Sequence, residues 1–119
     1  MDVYAAQAII YEETENADGF LSRFTISGKF LSEHWQRLQA AIHTYADSLT
    51  DEDLTLDRRV AGDLHYLTQV MTLASEVLQK TGEVNAPLEA AANALWEYNH
   101  IIFSVPQNRS RSRPNREAE

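Results

Sequence analysis

Apolar residues along this chain recur at helical, not strand, intervals. Within LSEHWQRLQAAIHTYADSL, the residues Leu31, Trp35, Leu38, Ile42, Tyr45 and Leu49 follow at steps of 4, 3, 4, 3 and 4. Those steps draw one stripe down an α-helix. A helix is expected over about 31–48, capped by Ser32 or Ser27. The segment LTDEDL comes next. Thr50 suits an N-cap, Asp53 sits three residues on, and Leu49 and Leu54 are spaced for a hydrophobic staple. Asp51, Glu52 and Asp53 would all lie in a first turn, where the helix dipole favours negative charge. A second helix is therefore expected over about 51–80, joined to the first by a very short turn and packed antiparallel to it.

That second helix carries two stripes. Leu56, Val60, Leu64, Leu67, Met71, Ala74 and Leu78 form one, and Tyr66, Val70, Leu73 and Val77 form another beside it. Its late half thus needs two apolar neighbours. Gly62 is a candidate for a close helix crossing, and Gly82, just after Lys80, for the stop. A third helix is expected over about 86–104, with Asn85 as cap, Pro87 in the first turn and Pro106 as terminator. Its buried face reads Leu88, Ala91, Ala92, Leu95, Tyr98, Ile102 and Val105, and its alanines suit close approach to a neighbour. The first thirty residues are less regular. VYAAQAIIYEET reads as a short helix, and FLSRFTISGKF fits a helical turn or a strand of a hairpin across Asp18-Gly19. The fold class is all-α: an antiparallel bundle of three main helices with a shorter N-terminal helical segment. It is a single helical domain over 1–105, followed by a flexible Arg/Ser-rich tail over 106–119.

Helix lengths raise the question of association. The second helix would span about 40–45 Å against roughly 27 Å for the first and third. The overhang must be covered by the N-terminal helix or by a second copy, and a homodimer is the expected form.

Charge and composition narrow the function classes. The chain has 119 residues and a net charge of −8. Residues 1–105 hold 16 acids and 6 bases, whereas residues 106–119 hold 2 acids and 4 bases. Such a body repels phosphate backbones and anionic membranes. The absence of cysteine removes disulfides, thiolate metal sites and a cysteine nucleophile. The N-terminus lacks the basic, apolar layout of a signal peptide, and no run approaches the length of a membrane span. A cytoplasmic protein is expected.

Catalytic patterns are sparse. Glu97 and His100 make one Glu-x-x-His step, but a di-iron bundle needs that step on two helices and two further glutamates. The sequence has no H-E-x-x-H, no G-x-S-x-G and no glycine-rich phosphate cradle. Its acidic clusters are accounted for by turns and helix starts, and no carboxyl stands out as one with a shifted pKa. An enzyme and a bound cofactor are not expected. The expected function is a small protein-binding module, an adaptor, regulator or inhibitor, whose protein partner the sequence does not identify. Two alternatives are an acidic DNA-mimic inhibitor and a helical-bundle metalloprotein.

The contact candidates lie on the third helix, where Trp96, His100 and Phe103, with Ile101 between them, form a second face. Either the N-terminal segment covers that face with Phe20 and Phe24, or a partner does. Aromatic residues are enriched in interface cores. Trp35 and Tyr45 read as core. In the tail, Arg109, Arg111, Arg113 and Arg116 alternate with polar residues and lack aromatics to stack on bases. They suit a strap onto an acidic surface better than a nucleic-acid reader.

Overall fold

The computed structural model describes residues 1–49 and 55–118, with side chains as far as residue 103. Five helices are defined among the described residues: α1 (Val3–Glu15), α2 (Phe20–Ser27), α3 (Ser32–Ser48), α4 (Arg58–Thr81) and α5 (Ala86–Ala118). No described residue is in a strand, so the stretch that sequence left between helix and hairpin resolves as α2.

Local chemistry sets most of the boundaries. Asp2 caps α1 through the backbone N–H of Ala5. Between α1 and α2 the chain turns so tightly that a Cβ on Gly19 would sit 2.3 Å from the backbone oxygen of Glu12, which explains glycine there. The expected serine cap of α3 is not used: Leu31 holds the cap position without a side-chain bond, and Ser32 is the first helical residue. Gly82 ends α4 in the left-handed conformation at φ 79°, and its N–H bonds back to Leu78 and Gln79. Asn85 caps α5 by accepting from the N–H of Leu88.

The start of α4 differs from expectation. Residues 55–57 are not helical, and the helix begins at Arg58. Its cap is Asp57, which accepts from the N–H groups of Arg59 and Val60. The N–H of Asp57 donates to Tyr45 Oη at 2.9 Å, and its carboxylate accepts from Tyr11 Oη at 3.2 Å. One residue thus ties α1, α3 and the head of α4 together. The proposed Thr50 cap lies outside the described residues. At the other end, α5 continues past Pro106. Proline withholds the N–H that would serve the carbonyl four residues earlier, which weakens a helix without forbidding it.

Packing also departs from the expected antiparallel pair. α1 lies against both α3 and α4, and α5 lies against both α3 and α4. The consecutive helices α3 and α4 therefore face each other across the diagonal of a four-helix cross-section, and α1 is a full member of the bundle. The core contains the expected stripes: Trp35, Leu38, Ile42, Tyr45 and Leu49 from α3 and its cap, Val60, Leu64, Leu67 and Met71 from α4, and Leu88, Ala91, Leu95 and Ile102 from α5. At one end Phe20 meets Phe24, Phe30 and Trp35, and Phe30 also meets Trp35, with ring centroids 5.3–6.2 Å apart. Gly62 marks no close crossing, since a Cβ there would meet nothing within 4 Å.

A candidate interaction face on α4 and α5

The outer face of α4 keeps its second stripe uncovered. Tyr66 is 56% exposed, Leu73 61% and Val77 52%, with half-buried Val70 between them. α4 has α1 on one side and α5 on another, and three of the four stripe residues stay more than half exposed. Two concave strips flank it. One, of about 610 Å³, lies toward α5 and is lined by His65, Gln69, Leu73, Glu76, Trp96 and Asn99 among others. The other, of about 570 Å³, runs from Phe24 and Gly28 past Val70 and Val77 to Val84. Leu73 lines both, so it stands on the ridge between them.

The floor of the first strip is fixed by polar links. Asn99 Nδ2 donates to Thr68 Oγ1 at 2.6 Å and to the carbonyl of Leu95 at 2.7 Å, and Thr68 donates to the carbonyl of Leu64. These bonds hold α5 against α4 beneath the groove.

The contact candidates on α5 fall into two groups. Trp96 is 58% exposed and Ile101 44%, and both line a shallow depression with Glu97 and His100. Phe103 is half-buried and packs on the core. Phe20 and Phe24, the suggested cover for this face, are committed to the cluster around Trp35, so Trp96 stays open. Arg109, Arg111, Arg113 and Arg116 fall on the backbone of α5 beyond the described side chains.

Two polar clusters were not legible in the sequence. At the α1–α3 contact, the Glu13 side chain is only 3% exposed. It accepts from His34 Nδ1 at 2.9 Å, from Arg37 Nη1 at 2.9 Å and from the N–H of Phe20 at 2.9 Å. Burial works to raise its pKa, but the bonds from His34, Arg37 and Phe20 prevail and hold it below the usual range. At the α1–α4 contact, Asp63 faces Glu15. Burial first, and then the neighbouring Glu15 carboxylate, push Asp63 up to about 7. Hydrogen bonding from Arg59 and Asp63 takes Glu15 down to about 2. Asp63 Oδ2 is buried without a hydrogen-bond partner, an environment that favours the protonated carboxyl. The Arg59 guanidinium forks onto Glu15 and lies 3.8 Å over the Tyr11 ring. Asp63 is outside the lining of both grooves.

Among the described residues, no group of three or more histidines and carboxylates is placed to hold a metal ion. No described helix is long and apolar enough to cross a membrane. Comparison with known proteins returns no matching family model, no matching curated protein and no matching solved structure.

Proposed function

We propose that this chain is a cytoplasmic, non-enzymatic protein-binding module, an adaptor, regulator or inhibitor, that works through the joint outer face of α4 and α5. The observation that carries the reading is the bare stripe of Tyr66, Leu73 and Val77 alongside exposed Trp96. Isolated apolar residues on a surface need no explanation, but a contiguous band of them with grooves on either side does. The band is also uncharged. From Tyr66 to Ser75 the chain carries no acidic or basic residue, although a quarter of all residues are charged. Depletion of charge with an aromatic anchor is the composition of an interface core. Among the described carboxyls, the one pushed up toward neutrality is Asp63, which faces Glu15 away from the grooves, and this supports a structural role for it. A cysteine-free chain fits a reducing compartment.

The test compares affinity purification of the wild type, Trp96→Ala and Tyr66→Asp from the native host, with mass spectrometry and circular dichroism in parallel. The expected result is a protein retained by the wild type and lost by both variants while helicity and Tm stay unchanged. Equal retention by all three, or unfolding of the variants, overturns the reading.

A further inference from the structure

We infer that the occupant of the α4 face is a second copy of this chain, packed so that the two α4 helices run antiparallel across a two-fold axis. This rests on the binding face proposed above and identifies what fills it. The stripe Tyr66, Val70, Leu73 and Val77 has the 4-3-4 spacing of a coiled-coil seam, which requires a partner helix with the same spacing. A second α4 supplies it. In the antiparallel register centred between Val70 and Leu73, Tyr66 meets Val77 of the second copy and Leu73 meets Val70 of the second copy. Each large side chain faces a smaller one, the pairing that fills an interface without voids or overlap. A parallel register would set Tyr66 on Tyr66 and Leu73 on Leu73. The fit is self-complementary, as a two-fold interface demands.

Charge agrees with the register. Two chains of net −8 repel unless the contact itself is free of like charges. The uncharged run from Tyr66 to Ser75 supplies such a contact. At its rim the same register sets Glu76 of one copy opposite His65 and Gln69 of the other, so the acid meets hydrogen-bond donors and not another acid. Size agrees as well. Tyr66, Leu73, Val77 and Trp96 together expose on the order of 500 Å², and the polar rim brings each copy toward the roughly 800 Å² of a standard interface.

The experiment is sedimentation equilibrium of the full chain from about 1 to 200 µM, a range that brackets a micromolar Kd. The wild type should rise from the chain mass of 13.5 kDa to twice that value. Leu73→Asp should weaken association by about 30-fold or more, because it sets a carboxylate in a desolvated seam. Tyr4→Asp, a change at a more exposed site on α1, should leave association unaltered. A wild type that stays at the chain mass throughout overturns the second copy, while leaving the face open to a different protein. A dimer that survives both Leu73→Asp and Tyr66→Asp overturns the face itself.

Discussion

The α1–α3 contact and the outer side of α4 are both drawn from apolar stripes at helical spacing, yet they end in opposite states. Between α1 and α3 the surfaces close over Ile10, Leu38 and Ile42, which are fully buried, and over Glu13, whose carboxylate is matched donor for donor. On α4, Tyr66, Leu73 and Val77 stay more than half exposed. Periodicity reports how many sides of a helix are apolar. It does not report which element covers each side, because that choice depends on how the other helices fill the cross-section. α1 takes the place beside α4 that sequence gave to α3, and the second stripe of α4 is left without cover.

The contrast predicts unequal costs. Glu13→Ala strips partners from His34, Arg37 and the N–H of Phe20 at once. Removing one member of a buried charge pair costs about 3–5 kcal/mol, and half-exposed Arg37 places this case near the lower end. Glu12→Ala removes a partner of the same Arg37 from a half-exposed position, for about 0–1 kcal/mol. Urea denaturation at pH 7 followed by circular dichroism compares the two. Equal losses would mean that the α1–α3 contact is no tighter than its solvent-facing edge.

The Asp63–Glu15 pair gives a smaller effect with a defined pH window. Asp63 has a folded pKa near 7 against an ordinary value of 3.8, so the folded state holds its proton more tightly than the unfolded state. The stability tied to that proton is present in full below about pH 4 and is lost as pH rises through 7. Glu15 acts in the other direction, at lower pH: its folded pKa near 2 makes a contribution that is present above 4.5 and lost as pH falls toward 2. The wild type should therefore lose stability between about pH 4 and 7. Asp63→Asn keeps the shape, lets an amide N–H donate to Glu15, and removes the titration. Its Tm should exceed the wild-type value by a few degrees at pH 8 and come level with it near pH 4. A wild-type Tm that is flat across this window would mean that the two carboxylates are not in contact.

What sequence could not supply were pairings between distant residues. The cores of α3 and α5 were legible, because Trp35 to Leu49 and Leu88 to Ile102 each form a single stripe, and Asn85 and Gly82 have the chemistry of the ends they mark. The described α4 begins at Arg58, later than the start expected near residue 51, and the Thr50 cap behind that expectation lies outside the described residues. Asp57 is chosen through bonds with Tyr11 and Tyr45, residues 46 and 12 positions away. Glu13 with His34 and Arg37, and Glu15 with Asp63, are likewise tertiary contacts with no spacing to betray them. On the candidate face, Trp96 stood out through its steps of 4 and 3 to His100 and Phe103, and Ile101 only by lying between them. The α4 stripe was visible as an apolar row, but whether it was covered depended on where α1 packed.

The smallest predicted effect is also the one that separates cover from exposure most sharply. Leu67 and Leu73 lie on the same helix, six residues apart, and differ chiefly in what surrounds them. Leu67 is fully buried, and Leu67→Ala should cost about 2–5 kcal/mol through lost transfer energy and the cavity left behind. Leu73→Ser, on the ridge, removes a side chain that water already reaches. In dilute solution its cost should stay within about 0.5 kcal/mol, the range of ordinary surface changes. Raising the protein concentration should then open a gap, because association stabilises only the chain that can associate. Thermal melts of wild type and Leu73→Ser at two concentrations a hundredfold apart measure both quantities. Coincident Tm values at the low concentration and a higher wild-type Tm at the high one are expected. A gap already present in dilute solution would place Leu73 under cover from its own chain, and the stripe on α4 would then belong to the core.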